Sequence, residues 1–147
     1  MTQQLDYDLV IAGGGFAGLT LAALLAGSNL RITILERGDY ESINLSDQRT
    51  TAISYGSAQI LKRAGLWKML EPAGCPVLDI DILDGEHESD ILLEFRSKEI
   101  NDKPFGWIIQ NAFLRQSLLE FCQSAANIRI ETNTYIAQTD DGGDHRS

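Results

Sequence analysis

Three glycines near the amino terminus have the spacing of a phosphate-binding turn. Gly13, Gly15 and Gly18 form a G-x-G-x-x-G pattern directly after an uncharged run of Leu, Val, Ile and Ala. The first glycine of such a pattern permits a tight turn, and the second lets the backbone approach a pyrophosphate. The third lets the following helix lie close to the preceding strand, so that free N–H groups at the start of the helix face the phosphates.

A carboxylate about 20 residues beyond the glycines supplies the second chemical group of the pattern. Glu36 ends a β-prone segment, residues 31–35. A carboxylate at this place accepts hydrogen bonds from a ribose diol, and its charge would repel a 2′-phosphate. These residues therefore predict a dinucleotide site that suits FAD or NAD better than NADP. A simple packing turn between a strand and a helix is the alternative explanation of the glycines.

The elements that must position this site form a strand–helix–strand unit. Residues 8–12 have the composition of a strand that is buried on both faces, and residues 19–26 are an alanine-rich apolar helix. Residues 31–35 are the second strand. This order predicts a Rossmann-like βαβ domain, an α/β fold with a parallel sheet.

A second helical region is predicted after a polar loop at residues 38–48. Residues 49–54 lead into a helix that ends at Gly65. One side of this helix is predicted to carry the apolar residues Ile53, Ile60, Leu61 and Ala64. Residues 66–70 predict a short helical turn, which is closed by Pro72 and Gly74.

The middle of the chain changes to an alternating pattern. In residues 76–84 apolar and acidic side chains alternate, which predicts a half-buried antiparallel strand. Residues 91–96 can return as its partner strand. A charged loop at residues 97–103 precedes a third β-prone run at residues 107–110. Together these segments predict an antiparallel excursion that leaves the parallel sheet.

The last part of the chain returns to helix and strand. Asn111 is a predicted N-cap, and the helical face that follows carries Leu114, Leu118, Phe121, Cys122 and Ala125. Residues 128–131 predict a strand, residues 132–139 predict one more, and residues 140–147 predict a hairpin tip.

Composition limits the classes of function. The 147-residue chain has a net charge of −9, which argues against a nucleic-acid partner. Cys75 and Cys122 form no C-x-x-C pair, and with only His87 and His145 available no zinc-type metal cluster can be assembled. Both thiols are predicted to be buried or half-buried in a reducing compartment. The apolar run at residues 9–27 follows acidic residues and contains several glycines, so no targeting or membrane-spanning segment is predicted.

Three stretches of the chain carry a family resemblance. The first is GGGFAG with Glu36, and the second is DQRTTAIS at residues 47–54, followed by AGLW at residues 64–67. The third is GWIIQN at residues 106–111, followed by LR and LL pairs. In this order they resemble the class A flavoprotein monooxygenases, the FAD-dependent aromatic hydroxylases. The likeness is greatest to the branch that hydroxylates prenylated phenols in ubiquinone biosynthesis.

The resemblance implies contacts between FAD and the matching residues. The pyrophosphate would lie against the glycine turn and under Arg49, while Glu36 would hold the adenosine ribose and Arg37 would flank the adenosine. Gln110 and Arg115 would contact the cofactor from the third helix. Each arginine could instead be a solvated surface charge. The predicted cofactor-binding residues are Gly13, Gly15, Gly18, Glu36, Arg37, Arg49, Gln110 and Arg115.

The activity implied by the resemblance is hydroxylation of an aromatic ring. NAD(P)H or another reductant would reduce the flavin, which would react with O2 to form a C4a-hydroperoxide that transfers an OH group. The implied small-molecule substrate is a prenylated phenol. Such a substrate fits a cytoplasmic protein that associates peripherally with the inner membrane or with a biosynthetic complex. No side chain is assigned a catalytic role, because the cofactor carries the reactive chemistry.

The predicted organisation has three parts. Residues 1–75 are the first part of an FAD-binding domain, residues 76–110 are antiparallel strands of a substrate domain, and residues 111–147 return to the FAD domain. Because the later Asp-Gly and Gly-Asp motifs of the family are missing, the chain is expected to be an N-terminal fragment, truncated before the substrate domain is complete. Two alternatives remain: another FAD-dependent oxidoreductase, and a truncated nucleotide-binding remnant without catalysis.

Overall fold

A computed structural model describes residues 7–40, 47–85 and 91–139. Within these ranges the strands are Leu9–Ala12 (β1), Ile32–Leu35 (β2), Thr50–Ser54 (β3), Cys75–Val77 (β4), Asp79–Leu83 (β5), Ile91–Arg96 (β6), Gly106–Gln110 (β7) and Ile128–Glu131 (β8). The helices are Phe16–Leu24 (α1), Tyr55–Arg63 (α2), Trp67–Leu70 (α3), Ser97–Ile100 (α4) and Asn111–Ser124 (α5), with a 3-10 turn at Glu71–Ala73. The predicted hairpin tip at residues 140–147 and both histidines lie outside the described residues.

The amino-terminal unit confirms the predicted parallel α/β fold. The parallel sheet has the order β1-β2-β8, with Ile32 of the central strand opposite Leu9 on one side and Ile128 on the other. Strand β2 is buried along most of its length. Strand β1 is not buried on both faces as predicted, because it forms an edge of this sheet. Its Ile11 side chain is buried, whereas Val10 is 46% exposed.

A second, antiparallel sheet contains one strand that was not predicted. Its order is β3-β7-β4, and β3 pairs with β7 from Thr50 opposite Gln110 to Ser54 opposite Gly106. The prediction that Ile53 belongs to a helix is therefore wrong. Ile53 lies in β3, where it faces Trp107 of β7, because a partner more than fifty residues away in sequence imposes the extended conformation.

Helix α2 follows β3 without a connecting loop. Ser54 caps the helix by accepting a hydrogen bond from the Ser57 N–H (3.2 Å). Gly65 follows the last turn with φ of 82°, which confirms its predicted place just beyond the helix end. Leu61 is buried as predicted, but Ile60 lies on the exposed side of the helix.

Strands β5 and β6 form the predicted antiparallel pair as a separate two-stranded ribbon. Ile80 lies opposite Phe95 and Ile82 opposite Leu93, so these four apolar side chains share one face. The prediction that the strand is half-buried is wrong, because each of the four side chains is at least 40% exposed. Alternation sorts side chains onto two faces, but burial requires a second layer, and within the described part of the chain this face stays open.

Helix α5 packs on α1 and carries the predicted apolar stripe. Leu114, Leu118 and Cys122 are buried, and the Cys122 thiol lies 3.4 Å from the Leu19 carbonyl oxygen of α1. Asn111 is the first residue of α5 rather than its N-cap, a position that Gln110 occupies.

Three further predictions need correction. Cys75 is exposed rather than buried, because β4 is an edge strand of the second sheet. The charged loop at residues 97–103 contains the short helix α4. No strand forms in the described residues 132–139, where Asn133 adopts φ of 54° and the Thr134 N–H donates to the Glu36 carbonyl (2.9 Å). That segment folds back onto the end of β2.

Candidate functional site

The turn between β1 and α1 has the geometry that its glycines predict. Gly13 adopts φ of 104°, which L side chains rarely adopt, and its N–H donates to the Leu35 carbonyl (2.8 Å). A Cβ atom at Gly18 would lie 2.1 Å from the Gly13 carbonyl oxygen, so the helix packs directly against the turn. Gly15 differs from Gly18 in its surroundings. Apart from its two chain neighbours, no described residue has an atom within 4 Å of the position that a Cβ at Gly15 would take.

The N-terminus of α1 is open for an anion. Gly15 is its N-cap, so within the described chain no side chain satisfies the first N–H groups, and the first turn of α1 has no acidic residue. Free N–H groups and the partial positive charge of the helix end favour a phosphate at this place. The open space beside Gly15 would let the phosphate approach the backbone. These residues therefore fit the pyrophosphate of a dinucleotide.

Glu36 lies beside the turn and is held by backbone N–H groups. Its carboxylate accepts hydrogen bonds from Gly14 (2.7 Å) and from Gly38 (2.9 Å). The Gly38 N–H, followed by that of Gly14, lowers the pKa of Glu36 against the opposing effect of burial, and the charge of Arg115 acts in the same direction. Glu36 is therefore an ionised acceptor at neutral pH. Its predicted contact with a ribose diol stays a prediction.

Tyr40 is a residue of the site that was not predicted. Its side chain is 5% exposed, and its hydroxyl donates to the Gly14 carbonyl oxygen (3.1 Å). Burial, followed by the charge of Glu36, raises the pKa of the Tyr40 hydroxyl to about 12, so it stays protonated as a donor. Tyr40 is the one aromatic residue in the loop at residues 38–48, and this is the one signal in the sequence that could have drawn attention to it.

A cavity of about 310 Å³ adjoins the turn and brings together three of the predicted residues, Gly13, Glu36 and Arg37. The Arg37 guanidinium lies 5.7 Å from the centre of the Tyr135 ring, which closes the cavity from the segment after β8. The cavity thus combines an ionised carboxylate with a cation and an aromatic face.

Arg115 also lies near the turn. From helix α5 its guanidinium reaches to 4.9 Å from the centre of the Phe16 ring, and Phe16 is the first residue of α1. Its positive charge acts on both Glu36 and Tyr40. It adds to the lowering of the Glu36 pKa and partly offsets the rise of the Tyr40 pKa. The structure therefore brings Arg115 to the N-terminal end of α1, and its predicted contact with a cofactor stays a prediction.

Arg49 and Gln110 lie together at the end of the second sheet. Gln110 is exposed and pairs across the sheet with Thr50, the residue after Arg49. The Arg49 guanidinium forms a two-pronged ion pair with Asp47, with N–O distances of 2.7 and 2.9 Å, and its side chain is 80% exposed. The Arg49 hydrogen bond holds the pKa of Asp47 well below its usual range. A contact of Arg49 or Gln110 with a cofactor stays a prediction.

Helices α1 and α5 face strand β3 of the second sheet next to the turn. An apolar cavity of about 430 Å³ is lined by Phe16 of α1, Thr51 of β3 and Leu114 of α5, among others. The Thr51 hydroxyl donates to the Asn111 side-chain oxygen (2.6 Å), and the Asn111 amide group donates to Asp47 (3.3 Å). These contacts fix the start of β3 against the start of α5, and hence Arg49 relative to Arg115.

Two negative findings apply to the described ranges. No group of three or more His, Cys, Asp or Glu side chains there is placed to hold a metal ion. Among the helices of residues 7–40, 47–85 and 91–139, none has the length and apolar character needed to cross a membrane.

The chain matches known proteins in both sequence and fold. A family model described as an NAD(P)-binding Rossmann-like domain matches residues 11–70. Ubiquinone hydroxylase UbiM of Neisseria meningitidis is 33% identical over 141 residues, which is 91% of this chain and 30% of that protein. Ubiquinone hydroxylase UbiL of Rhodospirillum rubrum is also 33% identical, over 76% of this chain and 26% of that protein. The flavin-dependent monooxygenase PieE, solved with FAD and substrate, matches 90% of this chain and 24% of its own with a TM-score of 0.68 at 15% identity.

These matches support a class A flavin monooxygenase, of which this chain corresponds to the N-terminal part. This confirms the resemblance drawn from the three sequence stretches. The chain spans less than a third of the length of the two curated relatives.

Proposed function

We propose that this chain binds the adenosine diphosphate half of FAD and belongs to an aromatic-ring hydroxylase of ubiquinone biosynthesis. The observation that carries the proposal is the turn itself. An open, uncapped N-terminus of α1 lies beside a carboxylate that is ionised at neutral pH. Phosphate suits the first group and a ribose diol suits the second.

The remaining predicted contacts complete this cofactor site. The cavity lined by Arg37 and Tyr135 would take the adenine base, which can stack on a guanidinium or on an aromatic ring. Arg115 adds positive charge at the phosphate end of α1. Arg49 has an exposed guanidinium whose planar donors suit phosphate oxygens, and Gln110 lies next to it.

The proposed reaction is transfer of one oxygen atom of O2 to the ring of a prenylated phenol. FAD would supply this oxygen chemistry, with NAD(P)H or another reductant as the electron donor. The described residues would bind and orient the cofactor. The names of the two relatives support ubiquinone precursors as the substrate class. A prenylated substrate also favours peripheral association of a cytoplasmic protein with a membrane or a biosynthetic complex, which co-sedimentation with lipid vesicles would measure.

The antiparallel strands are assigned to the second part of such an enzyme. Residues 76–110 would belong to the substrate domain, while residues 1–75 and 111–147 would belong to the FAD domain. All four strands in residues 75–110 lie in sheets separate from β1, β2 and β8, which supports this assignment. Strand β3 of residues 1–75 pairs with β7 of residues 76–110, so one sheet contains strands from both proposed parts.

Calorimetric titration of the purified chain with ADP, NAD and NADP tests the cofactor site. We expect ADP to bind, and NADP to bind at least tenfold more weakly than NAD, because its 2′-phosphate would meet the Glu36 carboxylate. In the Glu36→Gln variant this preference for NAD should shrink. A wild-type chain that binds none of the three nucleotides refutes the proposed site.

The hydroxylase activity needs a test in cells. Deletion of the gene should cause accumulation of a ubiquinone precursor that lacks one ring hydroxyl, and the intact gene should remove it. Accumulation of an unrelated substrate would instead favour a different FAD-dependent oxidoreductase. Unchanged quinone intermediates would favour a nucleotide-binding chain without catalysis.

A further inference from the structure

Gly14 is a fourth glycine in the turn that the phosphate motif does not explain. The motif requires glycine at positions 13, 15 and 18 and accepts other residues between them. Gly14 does not have a φ in the left-handed region, so its backbone conformation alone would accept an L side chain. A different neighbour must therefore require glycine at this position.

That neighbour is Tyr40. A Cβ atom at Gly14 would lie 1.5 Å from the Tyr40 hydroxyl oxygen and 2.7 Å from the ring carbon that bears it. The same Cβ would lie 3.2 Å from the Glu36 carboxylate, on the other side. Because Tyr40 is buried, any movement of its ring that makes room would break its packing and its hydrogen bond to Gly14.

Both polar backbone groups of Gly14 are bound by these two side chains. Its N–H donates to Glu36 (2.7 Å), and its carbonyl oxygen accepts from the Tyr40 hydroxyl (3.1 Å). We call Glu36 and Tyr40 the Gly14 clamp. The clamp fixes the peptide groups on either side of Gly14, and the second of these groups carries the Gly15 N–H at the phosphate-facing end of α1.

We propose that Tyr40 is a positioning residue for cofactor binding, which holds the glycine turn in its phosphate-binding conformation through the Gly14 carbonyl. The proposal rests on the proposed FAD site. Tyr40 would contribute to affinity without touching the cofactor, because a turn that is already fixed loses less conformational freedom when a phosphate binds. Gly14 would be required by Tyr40 and not by the phosphate.

The clamp can be measured without any ligand. Hydrogen exchange of the Gly14 amide in the ligand-free chain, followed by NMR, should become roughly two- to tenfold faster in Tyr40→Phe, the factor expected for one ordinary hydrogen bond. The amide of Ile34, in the central strand β2, is the reference for global unfolding and should change less. Equal changes at both amides, or no change at Gly14, would overturn the positioning role.

The same variants are then titrated with ADP. Tyr40→Phe should weaken binding roughly two- to tenfold, and Gly14→Ala should weaken it more than tenfold, because its methyl group displaces the Tyr40 ring. The double variant Gly14→Ala/Tyr40→Leu removes the clashing atoms and should bind ADP within about threefold of Tyr40→Leu alone. Gly56→Ala is the matched control, since among the described residues its Cβ would meet only the Ser54 hydroxyl, at 3.9 Å.

The outcomes separate this inference from the proposed function. A wild-type chain that does not bind ADP refutes the FAD site, and the amide exchange still decides whether Tyr40 fixes the turn. A chain that binds ADP, with Gly14→Ala as tight as wild type or with no rescue in the double variant, leaves the FAD site standing and refutes the role of Tyr40.

Discussion

Replacement of Gly15 by alanine should abolish cofactor binding while leaving the fold almost unchanged. Within the described residues the place of its Cβ is open, so the methyl group would occupy the space through which a phosphate approaches the backbone. Overpacking costs about 1–3 kcal/mol, and loss of a hydrogen bond to a charged group costs about 1.5–3 kcal/mol. The lower limits of these two ranges together give about 2.5 kcal/mol, which corresponds to a loss of ADP affinity of roughly 60-fold or more.

The fold should tolerate this change because two small effects oppose each other. Gly15 has φ of −74° and ψ of −177°, which alanine adopts without strain, and the replacement reduces the freedom of the unfolded chain by about 0.4–1 kcal/mol. Alanine is a poorer N-cap than glycine, by a similar amount. Urea unfolding should therefore give a free energy within about 1 kcal/mol of wild type. If Gly15→Ala binds ADP as tightly as a wild-type chain that does bind it, Gly15 is not at the phosphate.

Gly18, Glu36 and the two cysteines can each be tested in the same chain. Gly18→Ala should destabilise the fold by about 1–3 kcal/mol, because its Cβ would overlap the Gly13 carbonyl oxygen, and urea unfolding would measure this loss. Folding lowers the pKa of Glu36 from 4.5, so the stability that its charge contributes should be present above pH 4.5 and be lost as the pH falls through the lower folded value. The free energy of unfolding of wild type and of Glu36→Gln, measured as a function of pH, would show this loss in wild type alone. A thiol reagent should label exposed Cys75 quickly and Cys122 only on unfolding, because burial raises the pKa of the Cys122 thiol to about 11; equal rates would contradict this.

Local signals made the parallel unit predictable. Glycine at position 13 is required by a positive φ, and glycine at position 18 by close approach of the helix, so the sequence pattern reports two backbone facts directly. The helix α5 stripe was equally visible, because its spacing places Leu114, Leu118 and Cys122 on one face. In each case the determining contacts lie within one element or between sequence neighbours.

Distant contacts account for what was missed. Strand β3 is short and rich in Thr, and it is extended because β7 pairs with it from more than fifty positions away. Tyr40 belongs to the site through a hydrogen bond to Gly14, a pairing that no periodicity or motif encodes. The β5–β6 ribbon was wrongly predicted to be half-buried. The alternating pattern placed its apolar side chains on one face, but burial of that face depends on another layer of structure.

Glu36 and Tyr40 hold the same residue, yet only Glu36 is expected to touch the ribose. In Tyr40→Phe the turn loosens, so affinity for inorganic pyrophosphate and for ADP should fall by the same factor. In Glu36→Gln the turn loosens as well, because one neutral amide oxygen replaces the two carboxylate oxygens that accept from Gly14 and Gly38, and the ribose acceptor is also weakened. ADP affinity should therefore fall further than pyrophosphate affinity, by roughly the threefold to tenfold that separates a hydrogen bond to a charged acceptor from one to a neutral acceptor. Equal losses for the two ligands in Glu36→Gln would mean that Glu36 supports the turn and does not bind the ribose.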